Sequence, residues 1–175
     1  MMTLAETILM TQIGYENLLA KITEKEKEYD QVRDHRQVAF ELSGDGWHDN
    51  PEFNRMQQLE ANLNHTLKTL SDRLDVMKFI DIHDGMRNVQ QVEIGSIVKL
   101  RRYDLADDSE IEEIWEIRGF DETNIKLKHL AYNAPLAEKI MHLHVADIAE
   151  EVQIGSRHFD IEVVALFKTR LLAGI

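Results

Sequence analysis

Apolar positions in the first half of the chain are sparse and recur at helical spacing. After Ile13-Gly14-Tyr15 they fall at Leu18, Ile22, Tyr29, Val32, Ala39 and Leu42, with charged runs such as Glu24-Lys25-Glu26-Lys27-Glu28 between them. Such spacing predicts a helix with one narrow apolar seam. A second seam, Met56, Leu59, Leu63, Leu67, Leu70, Leu74 and Met77, has steps of 3, 4, 4, 3, 4 and 3, close to a coiled-coil repeat. A helix from Glu52 to Phe79 is roughly 42 Å long at ~1.5 Å per residue. A narrow seam suits a single partner, and a short connector forces two such helices to run antiparallel. The predicted product is a helical finger with residues 44–51 at its end.

The connector reads Gly44-Asp45-Gly46-Trp47-His48-Asp49-Asn50-Pro51, followed by Glu52 and Phe53. Gly44 and Gly46 supply backbone freedom that a helix interior penalises, and Pro51 suits a first helical position. Asp49 or Asn50 is the expected cap of the second helix. Two readings stand side by side. In one, the acids only cap a helix–turn–helix connector, with Glu52 favouring the positive helix end and Phe53 packing back on the first helix. In the other, Asp45 and Asp49 form a carboxylate-bearing tip, and Trp47, exposed with no core to join, contacts a partner.

Near Asp84-Gly85 the heptad stops and the pattern changes period. We place the domain boundary near Gly85–Val89, giving residues 1–85 and 86–175. Alternation predicts strands over Ser96–Leu100, Glu113–Ile117 and Asn124–Lys128, with hairpin turns at Asp107-Asp108-Ser109 and Gly119-Phe120-Asp121-Glu122. A helix is expected over Leu136–His144, beginning beside Pro135. Strands Glu151–Ile154 and His158–Leu166 follow, joined through Gly155-Ser156. The second domain is thus mainly β with one helix, and the chain as a whole is α+β.

Charge narrows the functions open to it. With 20 Lys and Arg against 32 Asp and Glu, the formal charge is −12, which argues against independent DNA binding and for a basic protein surface or a metal-containing site. There is no cysteine, so disulfides and thiolate metal sites are excluded. Met1–Met10 is a poor signal peptide and no segment is apolar enough to span a membrane, so the expected location is cytoplasmic. The basic residues Lys21, Lys25, Lys27, Arg33 and Arg36, with Arg55, Lys68 and Arg73, read as a solvated coiled-coil face rather than an RNA-contacting stripe, because acids sit beside most of them.

No P-loop, dinucleotide fingerprint, zinc-protease helix or EF-hand loop is present. His142 and His144 lie two apart and would diverge on a helix, which argues against a metal pair. The tip acids remain. Mg²⁺ keeps several waters and takes further ligands from substrate or partner, so Asp45 and Asp49 alone make a weak site. They make sense completing a site that already holds carboxylates and phosphates, where a second metal activates water for phosphodiester hydrolysis.

Three short motifs, in order, resemble the bacterial Gre-type transcript-cleavage factors. Thr11-Gln12-Ile13-Gly14-Tyr15 with Leu18 resembles the family's opening into its first helix. Gly44-Asp45 followed by Asp49-Asn50-Pro51-Glu52-Phe53 resembles its tip, usually Gly-Asp-Leu-(Ser/Lys)-Glu-Asn-Ala-Glu-Tyr. Tyr132-Asn133-Ala134-Pro135-Leu136-Ala137 resembles its Ser-Pro-Leu-(Ala/Gly) signature. The resemblance covers nearly the whole chain after the first nine residues.

It implies an N-terminal antiparallel coiled coil and an FKBP-like C-terminal domain that binds RNA polymerase, with residues around Ala134, Pro135 and Leu136 at the contact. The finger enters the polymerase's secondary channel, where Asp45 and Asp49 help hold a shared Mg²⁺ and the polymerase cuts backtracked RNA. The remaining tip contacts are then Trp47, His48, Asn50, Glu52 and Phe53, and the nascent RNA 3′ end is met only inside the polymerase complex. The factor itself is not the enzyme and binds no cofactor tightly.

The tip departs from the family pattern. The family's acids are an Asp and a Glu separated by two residues, whereas three separate Asp45 from Asp49, and the second acid is one methylene shorter. An inhibitor or modulator occupying the same channel without stimulating cleavage is therefore the alternative. Two other classes are a peptidyl-prolyl isomerase, from the FKBP-like fold alone, and a plain coiled-coil adaptor.

Overall fold

A computed structural model describes residues 7–175; the first six residues of the N-terminal stretch weighed as a signal peptide lie outside the described residues. The chain divides into two compact units, one containing Tyr15–Met77 and the other Leu9–Gly14 with Lys78–Ile175.

The first unit is a helical hairpin. Helix α1 spans Gln12–Ser43 and α2 spans Pro51–Val76. Contacts at opposite positions fix the antiparallel sense: the Tyr29 hydroxyl donates to Glu60 at 3.3 Å, Arg36 pairs with Glu60 at 2.9 Å, and Phe40 meets Phe53 with ring centroids 6.1 Å apart. The seam is narrow, as its spacing predicts. Leu18, Ile22 and Ala39 on α1 and Phe53, Met56, Leu63 and Leu70 on α2 are buried. Leu42 is not part of it: at 83% exposure it lies off the stripe, which ends at Ala39. Leu59 is also exposed, and Leu67 is only half-buried. The packing of α2 thus falls on Phe53, Met56, Leu63 and Leu70. Truncating Leu70 to alanine should cost about 2–4 kcal/mol, and Leu67 to alanine less, measured by urea unfolding followed by helical circular dichroism.

The basic residues of the hairpin for which partners are seen face acids. Besides Arg36 with Glu60, Lys25 pairs with Glu28, and Arg55 with Glu52 at 3.6 Å. This is the arrangement of a solvated helix surface.

Two short strands flank the hairpin in sequence, β1 (Ile8–Met10) and β2 (Met77–Phe79), and they pair with each other. Neither was expected. The last residues assigned to the second helix leave it at Met77, whose φ of −76° and ψ of 150° are extended.

The second unit is built on a five-stranded sheet. Its strands are β3 (Ile97–Asp104), β4 (Glu110–Arg118), β5 (His129–Ala131), β6 (Ile148–Ile154) and β7 (Arg157–Phe167), in the order β5-β4-β3-β7-β6. All neighbours are antiparallel except β4 and β5. One face carries the core, with Val98, Leu100, Ile117, Leu130, Ile161 and Val163 packed beneath helix α3 (Pro135–Ile140), which contributes Leu136, Ala137 and Ile140. The chain is therefore α+β, with a mainly β half-barrel following the helices.

Three sequence expectations are corrected here. Asn124–Lys128 is not a strand: Asn124 accepts from the Leu127 amide at 3.3 Å, residues 125–127 make one 3₁₀ turn, and Lys128 turns left-handed at φ 57°. The turn at Gly119–Glu122 therefore closes no hairpin, because the strand after it runs parallel to β4. Helix α3 stops at Ile140 rather than His144, since Met141 has a ψ of 138°, outside the helical range, and His142 has a φ of 67°. A last short helix, α4 (Arg170–Ala173), follows β7.

Glycine is required at two places by a buried carboxylate. Glu122 accepts from the Thr11 amide at 2.8 Å and the Thr11 hydroxyl at 2.9 Å. A Cβ on Gly14 would lie 2.3 Å, and one on Gly119 2.1 Å, from a Glu122 oxygen. The opening motif Thr11 to Gly14 is thus a cradle for the Glu122 side chain, tying that segment to the turn after β4.

Candidate functional site

The turn between α1 and α2 is organised by one side chain. Ser43 donates back to the Ala39 carbonyl at 2.6 Å, and Gly44 then leaves the helix at a φ of +53°, a conformation that costs glycine little. Residues 44–49 form a 3₁₀ helix broken at Gly46. Asn50 closes it. Its Oδ1 accepts from the amides of Glu52 (2.9 Å) and Phe53 (3.4 Å), capping α2, while its Nδ2 donates to the Ala39 carbonyl at 3.2 Å and to the Ser43 hydroxyl. Pro51 occupies the first turn of α2, as its position in the sequence indicates. The end of one helix and the start of the next are thus fastened by the same amide. Asn50→Ala should lower hairpin stability by about 1–2 kcal/mol, read as a fall in melting temperature of the full chain.

The aromatic residues do not behave as the sequence suggests. Trp47 is half-buried and has a core to join: its ring lies 4.9 Å from Phe53, 5.9 Å from Phe40 and 3.4 Å from His48, between centroids. Phe53 does pack back on α1. The four rings form a small apolar plug at the end of the hairpin, and Asn54 steadies it by donating to the His48 carbonyl at 3.2 Å. His48 itself is exposed.

With Asn50 serving as cap, both aspartates are left outward. Asp45 and Asp49 are exposed, as is Glu52. The break at Gly46 lies between the two acids, so regular 3₁₀ spacing does not relate their side chains. No group of three or more His, Cys, Asp or Glu able to hold a metal occurs among the described residues. The pair fits a hard cation only as two added oxygen donors to a shell supplied mostly from elsewhere.

The Ala134-Pro135-Leu136 segment forms the start of α3. Ala134 is the cap residue without a side-chain hydrogen bond, Pro135 is exposed, and Leu136 turns into the core. Of this motif, Pro135 is therefore the residue most open to a partner. His142 and His144 do not converge: His144 instead has its ring nitrogen 3.3 Å from Asp147.

A constellation without a local sequence signal lies on the other face of the sheet. Glu116 is 2% exposed and meets Arg87 at 3.3 Å, Arg118 at 3.1 Å and Arg170. His129 sits 3.8 Å away. Burial pushes the Glu116 carboxyl up, but the surrounding guanidinium groups outweigh it and hold it below its ordinary value. Burial, reinforced by Arg118, holds the His129 imidazole below its ordinary value too. Alternation marks Glu116 as a polar-face residue of β4, yet its partners lie far off in the chain. The network anchors α4 and the loop before β3 to the sheet.

The fold and the turn together define a class: an antiparallel helical hairpin with paired acids at its turn, followed by a mainly β half-barrel. No family model matches the sequence. The chain is 20% identical over 157 residues to the transcription elongation factor GreA of Bartonella tribocorum, an alignment covering 87% of this chain and 93% of that protein. It is thus similar to a Gre-type elongation factor along both of its halves. Among solved structures, Gfh1 of Thermus thermophilus is 18% identical, with 93% of this chain and 99% of that chain covered and a TM-score of 0.42. The GreA/GreB factor of Nitrosomonas europaea is 16% identical, with 91% and 97% covered and a TM-score of 0.36.

Proposed function

We propose that this protein is a Gre-type transcription elongation regulator that binds RNA polymerase and carries the 44–51 turn into the polymerase's secondary channel, promoting cleavage of backtracked RNA. The observation that carries this reading is the division of labour in the turn. Asn50 satisfies the helix ends, so Asp45 and Asp49 are not consumed as caps and stand exposed at the end of a long hairpin. The GreA similarity, which runs through both halves of the chain, supports it.

The polymerase is the enzyme; this chain supplies carboxylates and contacts. A Mg²⁺ shared with the polymerase contributes the activation of the attacking water when bound. Asp45 and Asp49 would hold it jointly with polymerase ligands, and the aromatic plug of Trp47, Phe40 and Phe53 keeps their backbone in place. Pro135 and its neighbours at the start of α3 contact the polymerase surface. The site of action is cytoplasmic, and the RNA 3′ end is met only within the complex, since a chain of charge −12 does not hold nucleic acid unaided.

One observation favours a second reading, in which the chain occupies the channel and inhibits. Three residues separate the two acids, across a turn that is broken at Gly46, and Mg²⁺ geometry is strict. Adding the protein to stalled, backtracked polymerase complexes separates the two. Release of short RNA 3′ fragments assigns the activator. Binding without release, with slowed nucleotide addition, assigns the inhibitor. Failure to bind polymerase removes both.

A further inference from the structure

We propose that the surface formed by the 125–127 turn and helix α4 is a docking site for an acidic amphipathic helix of a partner protein. Four aliphatic side chains stand in water there: Ile125 at 71% exposure, Leu127 at 52%, Leu171 at 89% and Leu172 at 67%. Two segments distant in sequence supply them, and a specific contact brings the segments together. Arg170, the first residue of α4, donates to the Leu127 carbonyl at 3.3 Å, lies 3.3 Å from the His129 ring, and is held from beneath by Glu116. On the single turn of α4, Ala173 is buried while Leu171 and Leu172 point outward. Solvation does not favour such a cluster, so a covering partner accounts for it.

The charge around the patch identifies that partner's chemistry. The segments 124–129 and 168–175 contain Lys126, Lys128, Lys168 and Arg170 and no acidic residue, in a chain with 32 of them. Glu116, the carboxylate that Arg170 meets, is buried and already shared among three guanidinium groups. The local field is therefore the reverse of the molecule's, and it selects an acidic ligand. Leucines presented from a short helix and a turn suit an apolar helix stripe laid between them, with flanking glutamates facing the lysines. The site lies at the N-terminal end of β5, whereas Ala134-Pro135-Leu136 follows its C-terminal end, so the inference does not rest on the polymerase reading.

The test uses the full-length protein and a synthetic helical peptide with leucines at i, i+3 and i+4 spacing flanked by glutamates. A lysine-flanked version of the same peptide, anionic phosphatidylglycerol vesicles and a single-stranded oligonucleotide are run beside it. Saturable binding of the acidic peptide at about 10–100 µM, weakened by salt, is expected. Amide shift changes should be confined to residues 124–129 and 168–175. L171S with L172S should weaken binding about tenfold or more. K126E with K168E should reverse the preference toward the lysine peptide. These positions are exposed, so an unchanged melting temperature should accompany both variants. Equal binding of the two peptides, or shifts elsewhere, would overturn the proposal. So would binding only to vesicles or to the oligonucleotide, or self-association abolished by L171S with L172S.

Discussion

Glu116→Ala should destabilise the C-terminal unit by about 3–5 kcal/mol, because it takes from Arg87 and Arg118 the buried carboxylate they share. Arg87 is itself almost fully buried, and its other contacts, to Asp84 and the Gly95 carbonyl, do not replace the lost carboxylate. Trp115, adjacent on β4, reports the unfolding of this unit in a Trp47→Phe background, so urea titration followed by its fluorescence gives the number. A cost below about 1 kcal/mol would mean that the network behaves as a solvent-screened surface cluster.

The same network sets a pH dependence. His129 and Glu116 are both held below their ordinary values of 6.5 and 4.5. The unfolded chain therefore binds protons at each more readily than the folded one, and stability rises with pH wherever that holds. Their contributions are fully present above those ordinary values. On acidification the loss begins below about 6.5 through His129, and continues below about 4.5 through Glu116 as each folded-state value is crossed. In the Glu116→Ala protein the lower step should shrink by the share of Glu116, leaving that of Glu93, Asp107, Glu112 and Asp147, whose carboxyls are also held below their ordinary values.

Both the helical hairpin and its turn were legible because their signals are local. Seam residues three and four apart define the helices, and Asn50-Pro51 announces the second start. What periodicity could not show is where a seam ends. Leu42 keeps the spacing but lies beyond the last buried position, Ala39, and so meets water. The burial of Trp47 is hidden in the sequence for a related reason: the plug it joins needs Phe40 from the preceding helix and Phe53 from the next, brought together only by the turn. In the second unit the long strands β3, β4 and β7 were visible by alternation, while Asn124–Lys128 alternates equally well and is no strand. There Asn124's side-chain cap and the left-handed Lys128 decide the backbone. The three-residue strands β1, β2 and β5 are too short to carry a period, and β4 with β5 pairs in parallel across a connection that mimics a hairpin. Glu116 and Glu122 look like surface acids in the sequence; only long-range partners at 87, 170 and 11 reveal their burial.

Neutralising the tip should remove the proposed activity while sparing the fold. Asp45→Asn and Asp49→Asn preserve side-chain shape and delete charge, and a carboxylate's charge, more than its outline, holds a divalent cation. Both positions are exposed and take no part in the Asn50 cap or the aromatic plug, so stability should change by less than about 0.5 kcal/mol. Polymerase affinity, which we propose lies in the C-terminal unit, should be nearly unaltered. The decisive measurement is the rate of RNA 3′-fragment release from backtracked polymerase complexes, with wild type and the double variant compared at concentrations that saturate binding. The account predicts stimulated release by the wild-type protein and release at the factor-free rate with the Asp45→Asn, Asp49→Asn protein; equal stimulation by both would contradict it.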